Sequence, residues 1–371
     1  MPDPATGPDP VRPAYDGAWI GAVVPALLAG DRPEWMPAPV ADADGVLLLV
    51  LDGLGWHAIE DARVELSELR AMSGGPITTC APATTAAALT SLTTGVPPGR
   101  HGIVGFRIRT DGGVLNVLEW AVDDEAEAPP PEAFQSCAPF GGRPVPVVTR
   151  AEFHKSGFTG AYLRGSRFVG WSTTAVLVEH CRRLAAAGDR VALAYYDGVD
   201  KVAHRYGLED GFFAVEAAAT DRLVGALLDA LPPTWALVVT ADHGQVHIAP
   251  GARRDLGAVA ALTAAYAGDA RCRSLHAVPG DEAELAAAAE EAYGDEAWVM
   301  TRDEFLDDGW LGPVANQRIA ERIGDVIVAA HAPVTFVAPT FPIEADLNAH
   351  HGSFTAAEML VPLLAARGRA G

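Results

Sequence analysis

Five short runs of apolar residues set the strongest limit on how this chain folds. They are VLLLVL (46–51), VALAYY (191–196), WALVVTA (235–241), DVIVAA (325–330) and VTFVA (334–338). A strand with one wet face alternates apolar and polar residues, whereas a strand apolar throughout is covered on both faces. Helical stretches lie between the runs, at 84–94, 173–187 and 212–231, and Trp19 to Ala29 reads as a buried first helix. Strands alternating with helices imply an α/β fold with a doubly wound, mostly parallel sheet. Functional groups in such folds collect at the C-terminal ends of the strands.

Two regions break the alternation. Residues 106–150, with DDEAEAPPP and FGGRPVP, read as long surface loops, and 250–325, with an Ala/Glu-rich helix over 281–293, reads as a small inserted subdomain. The first 16 residues, rich in Pro and Asp, read as a flexible tail. That leaves 17–371 as one catalytic-size domain carrying the insertion at about 250–325. Acidic residues number 48 against 27 basic ones, for a formal charge of −21. Such acidity opposes nucleic-acid binding, and it requires local positive charge, from arginines or metal ions, to recruit an anionic substrate. No apolar run approaches the ~18 residues of a membrane span. Cys80, Cys137, Cys181 and Cys272 form no CxxC pair and suit a reducing compartment. The Pro-rich start lacks the basic segment of a signal peptide, so the expected location is the cytoplasm. The oligomeric state is left open.

Metal-capable side chains follow the apolar runs. Asp52 ends the first, Asp200 follows the second with His204 four residues on, Asp242-His243-Gly244 follows the third, and His350-His351-Gly352 lies near the C-terminus. Each has an ordinary explanation alone: a turn, a surface helix pair, a helix cap, a solvated histidine. Together, three carboxylates and three or more imidazoles at one sheet edge would repel and desolvate each other without cations. Mixed Asp/His sets suit Zn²⁺, with Mn²⁺ or Fe as alternatives, and two such ions commonly clamp a phosphoryl group. A nucleophile candidate lies in ITTCAPATTAAALTSLTTG (77–95). Pro82 breaks the preceding segment, and Thr84 to Thr94 form a helix closed by Gly95. Thr84 and Thr85 then sit at an N-terminus that favours anions. Metal coordination would activate such a hydroxyl, but capping is the ordinary use of threonine there, and spacing alone does not choose.

Taken in order, these residues resemble the alkaline phosphatase superfamily, nearest its type I phosphodiesterase/nucleotide pyrophosphatase family. The matching motifs are Asp52-Gly53, Thr85 to Gly95, His101-Gly102-Ile103, Tyr195 with Asp200 and His204, Asp242-His243-Gly244, and His351-Gly352. The register back from Gly95 selects Thr85. By that resemblance one zinc is held by Asp200, His204 and His351, and a second by Asp52, Asp242 and His243 with the Thr85 hydroxyl. Thr85 would attack phosphorus and pass through a phospho-threonine intermediate that water releases. The implied reaction cleaves a phosphodiester or nucleotide pyrophosphate bond in a small phosphorylated substrate. A phosphomonoesterase or phosphonate hydrolase on the same scaffold is the alternative. A non-catalytic phospholigand-binding protein would have lost ligands, and none of the seven positions is altered. Cys80-Ala81-Pro82-Ala83-Thr84 resembles the sulfatase signature but has Thr where that signature has Arg.

The pattern departs from the family in two places. Ala86 stands where an aromatic residue usually follows the nucleophile, although Tyr195 matches the residue that stacks on the base from the other side. Phe106 replaces a phosphate-binding Asn, with Arg107 beside it as a bidentate donor. Arg107 and Tyr195 are therefore the expected substrate contacts. Further recognition is expected from 106–180 and from the insertion, where Trp120, Phe140, Phe158, Arg164 and Trp171 are available.

Overall fold

In the computed structural model, seven strands form the central sheet: β1 (Gly45–Leu51), β2 (Ser73–Thr78), β3 (Pro146–Arg150), β4 (Arg167–Trp171), β5 (Val191–Tyr196), β6 (Trp235–Thr240) and β7 (Leu360–Arg367). The structure describes residues 8–61, 63–123 and 126–370. The order is β2-β7-β6-β1-β5-β3-β4. β6, β1, β5, β3 and β4 run parallel, and β7 pairs antiparallel with both β6 and β2. All seven residues of β1 are buried, so both faces of the sheet centre are covered, as the uninterrupted run requires. A leucine enclosed in this way contributes roughly 2–3 kcal/mol.

Register positions the site. Val50 of β1 lies between Tyr195 of β5 and Thr240 of β6, so the segments after these three strands emerge side by side. Helix α1 (Ile20–Ala29) packs on α2 (Thr85–Thr94), while α5 (Phe212–Ala230) packs on α3 (Thr174–Ala187) and α4 (Gly198–Tyr206). No helix among the described residues is long and apolar enough to cross a membrane.

Three expectations are corrected. The runs at 325–330 and 334–338 do not join the central sheet. Val326–Ala330 is an inner strand of a separate four-stranded antiparallel sheet, between Cys272–Ala277 and Ala297–Thr301, with Thr263–Asp269 at the edge. Thr335–Val337 pairs with Arg253–Asp255. Glu282–Tyr293 packs on the small sheet over a second apolar core that includes Leu285, Val328 and Phe336, so the unit reaches beyond residue 325. Residues 106–150 are not all loop: 107–110, 113–116 and 121–122 make a small antiparallel sheet, and 146–150 is β3. Residues 8–16, expected as tail, lie against the domain. The Val11 N–H donates to the Phe354 carbonyl and the Tyr15 hydroxyl to the Trp310 carbonyl. Residues 1–7 of that expected tail lie outside the described residues.

Candidate metal centre and active site

Each expected ligand arrives from a strand end or the helix after it. Asp52 follows β1 through a turn that only glycine fits: Gly53 has φ +73°, and a Cβ there would meet Gln245 and, at 3.1 Å, the Asp200 Cβ. Asp200 and His204 share one face of α4, one turn apart. Asp242 and His243 follow β6, and His351 follows Ala349–His350, which pairs with Val246–His247. Two metal-capable triads result, Asp200/His204/His351 and Asp52/Asp242/His243, each with its ligand atoms within 4.8 Å of one another. The rings of His243 and His351 stack with centroids 3.5 Å apart, so the triads adjoin.

The imidazole orientations bear directly on metal binding. His204 Nδ1 lies 2.7 Å from the Ala349 carbonyl, His243 Nδ1 3.0 Å from that of Gly244, and His351 Nδ1 2.9 Å from that of Ala83. A carbonyl oxygen only accepts, so each Nδ1 carries the proton and each Nε2 offers its lone pair to the site. There His243 Nε2 meets Asp52 Oδ1 at 3.4 Å and Asp242 Oδ2 at 3.6 Å, and His204 Nε2 meets Asp200 Oδ1 at 3.3 Å. Asp52 Oδ1 and Asp242 Oδ2 are buried without any hydrogen-bond partner. Lone pairs facing lone pairs in a buried space call for a cation, and the residues fit two divalent ions of the zinc type. Burial, then the charges of Asp242 and Asp200, hold the Asp52 carboxyl well above its ordinary range. Burial, then His243 and His204, hold His351 well below the ordinary imidazole range.

Thr85 is the first residue of α2, after Thr84 in extended N-cap conformation. Its hydroxyl donates to His243 Nε2 at 3.0 Å. The Thr84 hydroxyl is buried without a partner, so the structure brings Thr85 rather than Thr84 to the triads.

Thr85 lies between two cavities. One, of about 180 Å³, is walled by Phe153, Phe158, Tyr162 and Tyr195. The other, of about 210 Å³, is lined by Phe106, Asp269, Glu344, Leu347 and His350 beside the Asp200/His204/His351 triad. Leu118 and Asp200 border both. Tyr195 does more than line a wall, because its hydroxyl donates to Asp52 Oδ2 and fixes that carboxylate. Tyr195→Phe is expected to weaken metal retention roughly tenfold, as loss of an outer hydrogen bond to a ligand does. Metal content after dialysis against a graded chelator measures it, and unchanged retention would remove this role.

Arg107 is placed elsewhere. Its guanidinium lies 3.4 Å from Glu344 and over the Phe341 ring at 3.7 Å, and it lines neither cavity. A buried carboxylate holds the cation that was expected to meet substrate. Of the other candidates, Phe158 lines the aromatic cavity, whereas Phe140 and Trp171 are core residues and Arg164 binds the carbonyls of Gln135, Ala161 and Cys137. Trp120 donates to the Pro129 carbonyl. Sequence reasoning missed Gln245, which donates to Asp200 Oδ1 at 2.9 Å, and also Asp269 and Phe153. Gln245 was detectable, two residues beyond His243 in the strand-end motif.

The pattern of the type I phosphodiesterase / nucleotide pyrophosphatase family matches residues 46–186 and 164–353. The chain belongs to this family. Membership makes it a hydrolase of the phosphodiesterase/nucleotide pyrophosphatase kind, on a metal-dependent scaffold. Murine ectonucleotide pyrophosphatase / phosphodiesterase 5 has the same fold at 15% identity, with TM-score 0.69 and 88% of each chain covered. That murine protein is also known as an inactive threonine-to-alanine variant in complex with AMP. Phosphonoacetate hydrolase from Sinorhizobium meliloti, in complex with phosphonoacetate, is similar at 18% identity and TM-score 0.58, covering 88% of this chain and 90% of that one. No curated protein sequence matches.

Proposed function

We propose that the protein is a di-zinc phosphodiesterase that uses Thr85 as its nucleophile, with Mn²⁺ or Fe as alternative metals. The observation that carries the diester reading is the placing of Thr85 between two cavities of similar size and different walls. A diester has two ester groups to house and a monoester one. The engagement of Arg107 by Glu344 points the same way, since it removes the cation that would favour a dianionic monoester.

Asp200, His204 and His351 would hold one ion, and Asp52, Asp242 and His243 the other. Bound ions would supply Lewis-acid stabilisation of the phosphoryl oxygens and lower the pKa of the Thr85 hydroxyl. The protein's own residues prepare that chemistry. Backbone carbonyls fix the three imidazoles, Tyr195 orients Asp52, and Gln245 orients Asp200. Thr85 Oγ, 3.0 Å from His243 Nε2, would bond to phosphorus as the bond from phosphorus to the leaving oxygen breaks, its hydroxyl proton passing to water. Water would then attack the phosphorus of the phospho-threonine, the P–Oγ bond would break, and the phosphate monoester would leave as Thr85 Oγ regains a proton. The inactivity of the murine threonine-to-alanine variant supports this role. The aromatic cavity suits a flat ester group such as a nucleoside base, as AMP binding by the murine relative suggests. Four unpaired cysteines are in keeping with the cytoplasm.

Hydrolysis of bis-p-nitrophenyl phosphate and p-nitrophenyl phosphate by zinc-loaded protein tests the reading. The diester is expected to be favoured roughly tenfold or more in kcat/KM. A preference for the monoester would replace the phosphodiesterase by a phosphatase.

A further inference from the structure

The cavity of about 210 Å³ contains a carboxylate that the proposed mechanism does not use. Asp269 ends the strand Thr263–Asp269, so the hairpin of the small sheet carries it to the site. It is 7% exposed, and no lysine, arginine or histidine forms an ion pair with it among the described residues. Its one hydrogen bond is a long one, 3.4 Å from the Phe106 N–H. The nearest guanidinium groups, Arg107 and Arg273, are both taken by Glu344. Burial and the charge of Glu344 raise the Asp269 carboxyl to about 7, as befits a carboxylate without a cation.

A second side chain in the same cavity is also incomplete. His350 is 4% exposed, and its Nε2 has no hydrogen-bond partner. Glu344, the other carboxylate here outside the metal-capable triad, is already paired with Arg107 and Arg273. The wall away from that triad is otherwise small and apolar, with Ala86, Leu118, Ala270 and Leu347, and Phe106 is its one phenyl ring. A ligand suited to it is compact, brings positive charge to Asp269, and can also bond His350. A primary ammonium meets all three needs, being a small cation with three donors. A quaternary ammonium has no donor and seeks several aromatic faces, which this cavity lacks.

We infer that the cavity between Thr85 and Asp269 accepts an ester group bearing a primary amine, which Asp269 and His350 recognise. The inference rests on the diester reading, because it assigns the second of the two ester groups.

The test compares four p-nitrophenyl phosphodiesters, whose second groups are 2-aminoethyl, ethyl, 2-hydroxyethyl and 2-(trimethylammonio)ethyl. The aminoethyl ester is expected to exceed the other three by roughly tenfold in kcat/KM, the worth of one charge-assisted hydrogen bond. In Asp269→Asn the ratio of aminoethyl to ethyl ester is expected to fall to within about twofold of unity, whatever happens to the absolute rates. If that variant does not fold, the four wild-type rates decide alone. Hydrolysis of the ethyl or hydroxyethyl ester as fast as the aminoethyl ester would overturn the inference and leave the phosphodiesterase standing. A trimethylammonio preference would overturn it in favour of charge without hydrogen bonding. Failure on all four esters, with the monoester cleaved, would remove the diester reading itself.

Discussion

Thr85→Ala is expected to lower kcat/KM for a diester by about 10⁴-fold while leaving metal content and folding nearly intact. The separation follows from position. The Thr85 hydroxyl makes one bond, to His243 Nε2, and the other six metal-capable residues do not depend on it. Thr84, not Thr85, is the N-cap of α2, so the substitution removes no cap, and alanine is the better helix former at the first helical position. Thr84→Ala is the matched control. Its hydroxyl is buried but unpartnered, and its loss is expected to change turnover by less than about tenfold. Steady-state kinetics with metal analysis of both variants measures the contrast. Near-normal turnover in Thr85→Ala would eliminate the nucleophile, and loss of both metals would make Thr85 a structural ligand.

The metal-capable residues were legible because the chemistry lies close to the backbone. Asp52, Asp242 and His243 stand within three residues of strand ends, and parallel register carries those ends to one edge. Asp200 and His204 needed only the helical period. The surrounding contacts were less legible, because they depend on pairs far apart in sequence. Tyr195 was expected as a substrate contact and lines the aromatic cavity, but the bond of its hydroxyl to Asp52, 143 residues away, was not legible. Arg107 was expected to be free, yet it meets Glu344, 237 residues away. The apolar run 325–330 belongs to the smaller sheet, because a strand covered on both faces carries no mark of which sheet covers it. Polar composition suggested a tail at 8–16, but Arg12 stacks on Trp310 and pairs with Asp308, a docking set by the far end of the chain. Asp269 was hidden for a related reason: it reaches the site only through the hairpin of the insertion.

Removing metal is expected to abolish turnover and to lower thermal stability, with a pH dependence opposite to that of acid denaturation. Without cations, the folded protein holds Asp52 and Asp269 above their ordinary range, Asp269 at about 7. Folding then binds protons that the unfolded chain, with carboxyls near ~4, has already released. That contribution to stability is complete at low pH and is lost as pH rises through the folded-state values. His351 acts in the other direction: its lowered value keeps the folded imidazole neutral while the unfolded chain takes up a proton below ~6.5, so this contribution to stability is lost as pH falls. Well above ~6.5 His351 is neutral in both states, so its contribution no longer changes there and the carboxyl contribution sets the slope. Chelated protein should therefore melt at a lower temperature at pH 8.5 than at pH 6.5. Metal-loaded protein should not, since rising pH frees ligands for the ions and strengthens binding. The gap in Tm between loaded and chelated protein is expected to widen by roughly 5 °C across that interval. Melting curves with and without chelator at the two pH values measure it. A gap that narrows with pH would mean that Asp52, Asp242 and Asp200 are arranged around something other than cations.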